Sequence, residues 1–184
     1  MTLQEALELH RAGRLDEAEA AYSDYLLDDP TNGDALHLFG LIRHERGDTA
    51  HALDLFRRAI AADPHNAQFH LSLGGALMRA GDEENARLFF ERALDLDPNS
   101  AEAHVVMGHL SLRAGDTDAA ESRFKIGRRA DENDPSILFG LGSIHLLRGD
   151  AANAAKFLAA AAEQRPDDAS IQTALGQALF EQGA

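Results

Sequence analysis

An all-helical solenoid of antiparallel helix pairs is the fold class that this 184-residue sequence predicts. Three observations predict it. Glycine recurs every 34 residues, at Gly13, Gly47, Gly81, Gly115, Gly149 and Gly183, with no insertion to disturb the spacing. A fixed period of this kind marks units that each form one supersecondary element and bury their apolar faces only by stacking on neighbours. Composition agrees, because 45% of the residues are apolar but only 6% aromatic, a core of Ala and Leu packed between helices. Finally, each glycine lies between two amphipathic stretches, as AQFHLSLGGALMRA at 67–80 and EENARLFFERAL at 83–94 lie around Gly81. Each unit is a helical hairpin, and about five and a half of them make one domain over residues 1–184.

We number each repeat from one, with the turn glycine at position fifteen. A partial unit then occupies 1–32, complete units run over 33–66, 67–100, 101–134 and 135–168, and a second partial unit covers 169–184. Thr2 and Glu5 have capping-box spacing and open the first helix. In every unit the glycine supplies the left-handed residue that ends the first helix. The aspartate after it, at Asp48, Asp82, Asp116 and Asp150, favours the amino end of the second helix. Pro30, Pro64, Pro98 and Pro166 stop that second helix.

Small residues mark where the two helices of a unit meet. Gly40, Gly74, Gly108, Gly142 and Gly176 stand at position eight, and Ala18, Ala52, Ala86, Ala120 and Ala154 at position twenty. Large apolar partners follow at position 24 with Tyr22, Phe56, Phe90, Phe124 and Leu158, and alanines at position 27 with Ala59, Ala93 and Ala161. This sequence of glycine, alanine, aromatic, alanine and proline closely resembles the tetratricopeptide repeat family over essentially the whole chain. The resemblance implies a right-handed superhelix whose first helices line a concave groove that takes peptides or partner helices. The chain departs from the family at position four, where Leu36, His70, His104, Leu138 and Gln172 replace an aromatic residue and predict a thinner core. In the unit over 101–134, Gly127 replaces the alanine and Glu132 the proline, while Pro135 opens the next unit. That junction is expected to be the softest part of the chain.

By the same resemblance, groove residues fall at positions five, nine and twelve of the first helix, spaced to share one helical face. Here they are His37, Leu41 and His44; Leu71, Gly75 and Met78; Val105, His109 and Leu112; and Phe139, Ser143 and Leu146. Most are apolar. The Lys, Asn and Arg set with which some family members clamp a carboxylate terminus is absent, since position two holds Asp34, Gln68 and Glu102, and position six Leu38, Ser72, Val106 and Gly140. The expected partner is a protein or peptide with an apolar or basic segment, bound as an amphipathic helix or an extended strand. The alternative is that neighbouring first helices pack sideways and leave Leu71, Val105 and Leu112 interior.

Charge and composition exclude several function classes. A net charge of −14, with Lys125 and Lys156 the two lysines, repels nucleic-acid backbones and anionic lipid surfaces. Cysteine is absent, and the first ten residues lack the basic and apolar regions of a leader, so a cytoplasmic chain is expected. Nine histidines raise the question of metal. His37 and His44 lie roughly 10 Å apart along a helix axis, too far to share an ion, and the histidines at 70 and 104 repeat as packed core residues. The acidic run over 131–134 lacks a calcium-loop pattern. Gly140 and Gly142 sit inside a helix rather than in a phosphate loop, and Ser143 and His145 project in different directions. No metal, cofactor or catalytic residue is therefore expected, and the chain is read as a non-enzymatic scaffold.

Two functional classes remain. One is a free-standing adaptor; the other is the recruiting module of a larger enzyme. The second draws on DALHLFG at 34–40, which resembles opening repeats ahead of bacterial glycosyltransferase, sulfotransferase or hydroxylase domains. It draws also on the last unit, which stops at its turn glycine. There Leu175, Leu179 and Phe180 are expected to expose an apolar strip and to support a homodimer through this end.

Overall fold

Gly47 has a φ of +79°, and around it one turn closes one helix and opens the next. Its N–H donates to the His44 carbonyl at 3.0 Å, and the Asp48 N–H reaches back to the Arg43 carbonyl at 2.9 Å. This pair of bonds is a Schellman closure, which only a residue tolerant of positive φ completes without strain. The Asp48 side chain then accepts from the His51 N–H as the N-cap of the following helix. Asp82, Asp116 and Asp150 cap in the same way after glycines with φ of +81°, +82° and +74°. Gly13 adopts +71°, but Arg14, which follows it, gives no side-chain cap. At Gly183 the expected turn is not formed. Glycine also fits a helical backbone, and the last helix runs through it.

The computed structural model of the chain describes residues 2–183, and these are all-helical. Residues 1–98 form one compact unit and residues 99–184 another. The first holds α1 (Leu3–Arg11), α2 (Leu15–Asp28), α3 (Gly33–Glu45), α4 (Thr49–Ala62), α5 (Ala67–Arg79) and α6 (Glu83–Leu96). The second holds α7 (Ala101–Arg113), α8 (Thr117–Gly127), α9 (Pro135–Leu147), α10 (Ala151–Gln164) and α11 (Ala169–Gly183). Each odd-numbered helix from α1 to α9 packs against its successor as an antiparallel pair, and within each unit the pairs stack in chain order. The capping box at the amino end is complete: Glu5 N–H donates to Thr2 Oγ1 at 3.2 Å, and Thr2 N–H to the Glu5 carboxylate at 2.8 Å.

Close approach within the pairs follows the small residues. Ala18, Ala52, Ala86, Ala120 and Ala154 are wholly buried, as are Tyr22, Phe56, Phe124 and Leu158. A Cβ at Gly40, Gly74 or Gly108 would stand 2.6–2.7 Å from the ring of Phe56, Phe90 or Phe124, closer than van der Waals contact permits. Gly176 departs from this pattern, because no side chain of the described residues stands within 4 Å of the place its Cβ would take. Position four is not hollow. Leu36 and Leu138 are buried, and so are His70 and His104. His70 Nε2 bonds the Pro64 carbonyl at 3.0 Å, and Gln172 Nε2, at the same repeat position, donates to the Pro166 carbonyl at 3.0 Å. A polar side chain at this position thus ties its helix to the loop before it.

Arginine at position fourteen adds a surface tie between successive pairs. Arg46 reaches Asp16 and Glu19, and Arg148 reaches Asp118 and Glu121, the latter two at 2.6 Å. The pairs to Asp16 and Asp118 are exposed and worth about 0–1 kcal/mol each, so they fix register more than stability. α8 has 11 residues where α2, α4, α6 and α10 have 14. Beyond it Arg129 and Ala130 donate to carbonyls three residues back, a tightened last turn before Asp134 caps α9.

Candidate partner-binding face

In the first unit α3 lies beside α5, and the row at positions five, nine and twelve runs along both. His37 begins it, but only 8% of its surface is exposed. Its Nε2 is hydrogen-bonded to Ser72 Oγ of α5 at 2.8 Å, and its ring lies 4.9 Å from Phe69 and 5.7 Å from Phe56. Burial disfavours the imidazolium and pulls the pKa down to about 4, against a weaker opposing pull from Asp34. Leu71 is buried as well. Leu41, His44, Gly75 and Met78 are half-buried and keep part of their surface in solvent. Arg79 Nη1 donates to the His44 carbonyl at 2.9 Å, and burial, then Arg79, lowers the His44 pKa.

The row in the second unit runs along α7 and α9, which also pack side by side. Val105 and Leu112 are half-buried against a cluster of Ala120, Phe124, Ile137, Leu141 and Ile144. His109 stands edge-on to Phe124 at 4.9 Å, and burial lowers its pKa against the Ser136 backbone and Asp134. Phe139 and Leu146 pack on Ala154, Leu158 and Ala178 while remaining partly exposed. Ser143 Oγ donates to the Phe139 carbonyl at 2.8 Å, so its hydroxyl is occupied within its own helix. His145 is hydrogen-bonded to Asp150 at 3.0 Å and stacks on Phe157 at 5.4 Å.

The row is therefore of two kinds. His37 and Leu71 lie in the interior, as sideways packing requires, whereas the other members form half-covered ridges of Leu, Met, Val, Phe and imidazole. Sequence spacing places all of them on one face but does not separate the two kinds, because burial depends on what the adjacent first helix presents. Along α11, Leu175 is half-buried against Ala154 and Leu158, so it contributes less to the expected apolar strip than the two residues that follow it. Leu179 and Phe180 are 53% and 79% exposed. Among the described residues, no group of three or more His, Cys, Asp or Glu side chains could hold a metal ion, and no helix is long and apolar enough to cross a membrane.

Stacked helical hairpins of 34 residues, with small residues at positions eight and twenty and glycine at the turn, define a tetratricopeptide repeat protein. The chain belongs to the family described as the cilia and flagella-associated protein 70 C-terminal domain, whose model matches residues 2–184. A search of curated proteins finds no match. Among solved structures, MamA is 21% identical, covering 92% of this chain and 98% of its own, with a TM-score of 0.73. YrrB, described as a TPR protein with an unusual peptide-binding site, is 24% identical over 92% of this chain and 87% of its own, with a TM-score of 0.70. A thermophilic TPR protein of Thermus thermophilus, TTC0263, is 23% identical over 97% of both chains, also at 0.70. At such identities these likenesses establish the fold.

Proposed function

We propose that the chain is a protein-interaction scaffold that holds a peptide or amphipathic helix of a partner against the first helices of its repeats. The observation that carries this reading is the pair of half-covered ridges, Leu41, His44 and Met78 in one unit and Val105, His109, Leu112, Phe139 and Leu146 in the other. Apolar side chains left partly in water at helical spacing suit the i, i+3, i+4 and i+7 anchors of an apolar helix face. The net charge of −14 selects among partners by favouring those whose apolar anchors are flanked by basic residues. YrrB is described as having a peptide-binding site on the same fold, and peptide binding is the corresponding reading here.

Two half-buried positions make the test cleaner than buried Leu71, where an aspartate would challenge the fold itself. Leu41→Asp combined with Met78→Asp should keep the far-ultraviolet circular dichroism of the parent. A partner captured from extract and then titrated as purified protein should bind this double variant at least about tenfold more weakly, the loss of roughly one buried apolar side chain. Equal affinity for both forms would move the binding surface off these helices.

For the exposed pair on α11 we propose self-association, with Leu179 and Phe180 of two copies covering one another. A self-complementary contact between like helices is the simplest closed arrangement.

A further inference from the structure

The early end of α8 opens a notch in the second unit. The other second helices with alanine at position 27 continue to position 30, where α8 stops at Gly127. A Cβ added at Gly127 would stand 3.1 Å from Ile137 Cδ1 and 3.3 Å from Val105 Cγ2. Glycine thus lets these two side chains close against the end of α8, and the missing last turn leaves the space beside them open. The cavity measures about 220 Å³ and has an apolar floor of Val105, Gly127 and Ile137. Glu102, Asp131 and Asp134 stand around it.

The three carboxylates differ from those that tie successive helix pairs together. Asp16, Glu19, Asp118 and Glu121 are each paired with an arginine. Among the described residues, no arginine or lysine pairs with Glu102, Asp131 or Asp134. Asp131 Oδ1 accepts from the Asn133 N–H at 2.9 Å, and Asp134 Oδ1 accepts from the N–H groups of Ser136 and Ile137 at 2.7 and 3.2 Å. These backbone bonds fix both carboxyl groups in place, and among the described residues no donor reaches the second oxygen of either. The volume lies below the about 300–1,000 Å³ of small-molecule sites, so it suits a single long side chain better than a free ligand.

We propose that this notch seats an arginine side chain of the partner segment, its aliphatic stem on Val105 and Ile137 and its guanidinium among Glu102, Asp131 and Asp134. Arginine joins the two requirements of the site, an apolar stem that packs on an apolar floor and a planar cation whose several N–H donors can serve more than one carboxylate. The proposal deepens the scaffold reading and rests on it. It supplies the residue beside which the apolar anchors of the partner would be set.

The test uses the full chain, labelled with ¹⁵N, and three capped tripeptides with arginine, norleucine or glutamate between two glycines. The arginine peptide is expected to shift amide resonances of residues 101–106, 127 and 131–137 in a saturable way, and the other two peptides are not. Glu102→Gln with Asp131→Asn keeps the acceptor for Asn133 and should weaken the arginine peptide by at least about tenfold, the loss of one charge-assisted hydrogen bond. Four outcomes would overturn the proposal: equal binding of the norleucine peptide, shifts scattered over the acidic surface, no shift, or an unchanged response in the variant. A partner weakened by Leu41→Asp with Met78→Asp but not by Glu102→Gln with Asp131→Asn would overturn the notch alone, whereas equal affinity for the Leu41 and Met78 variant would overturn the scaffold reading, so the two failures are distinguishable.

Discussion

His37 shows how one side chain joins two repeats at the cost of acid sensitivity. Its neutral ring is hydrogen-bonded to Ser72 and enclosed by Phe56 and Phe69. With a pKa lowered from 6.5 to about 4, the folded state binds the proton less readily than the unfolded chain. The stability that this provides is complete above pH 6.5 and falls as the pH drops toward 4. At 1.36 kcal/mol per pKa unit the loss amounts to about 3 kcal/mol, and lowered values at His44 and His109 act in the same direction. Urea unfolding of the parent and of His37→Phe at pH 7 and pH 5 isolates the term, since the variant should lose less stability on acidification. An identical pH dependence would remove His37 from the account. Glycines supply a second residue-scale contrast. Gly108→Ala must displace the buried ring of Phe124, an overpacking worth about 1–3 kcal/mol. Gly75→Ala meets nothing within 4 Å and should stabilise its helix by up to about 1 kcal/mol. Thermal melts of the two variants should move in opposite directions. The repeat spacing marks Gly108 as a close-packing position, but it does not show that Gly140 also abuts Phe124, because that contact crosses from one hairpin to the next.

Among the elements, those bounded by backbone chemistry were the most legible in the sequence. Turn glycines, capping aspartates and terminating prolines act within a few residues of themselves, and the ends of α4, α6 and α10 fall where they direct. Gly127 and the lost proline likewise marked this junction as irregular, and there α8 is short and the turn beyond it tightened. What stayed hidden depends on neighbours in space. The tie from His37 to Ser72 spans 35 residues, and the notch at Gly127 needs α7, α8 and α9 together. The arginines at position fourteen recur only in two of the repeats, so their partners on the preceding pair gave no periodic signal. The junction remains the place where opening should cost least. Amide hydrogens over residues 125–135 should exchange faster than those over 86–94, where Phe90 and Ala93 are buried on a full-length helix. Equal protection in the two segments would mean that the three-residue-back bonds hold the turn as firmly as a regular helix.

On the scale of the whole molecule, charge and exposed apolar surface make opposing demands, and salt separates them. A chain of net charge −14 attracts a segment bearing arginine, and added salt screens that attraction. Two copies of the same chain repel each other at long range. Self-association through Leu179 and Phe180 must overcome this repulsion by burying apolar surface, so salt should strengthen it. The Debye length falls from about 30 Å at 0.01 M to about 8 Å at 0.15 M, enough to remove most of the repulsion between charges outside the contact while leaving apolar burial intact. Sedimentation or light scattering should therefore show mass increasing with protein concentration, and more steeply at the higher salt. Phe180→Asp should abolish the increase at both, because it places a carboxylate where the most exposed apolar side chain of the helix would be covered. A species that stays monomeric at high concentration and physiological salt would overturn the self-association reading. A dimer that weakens with salt would place its contact on charged surface, away from Phe180. Partner binding should move the other way, weaker at about 0.15 M than at about 0.01 M salt, so one salt series applied to both equilibria tells an apolar self-contact from an electrostatic partner contact.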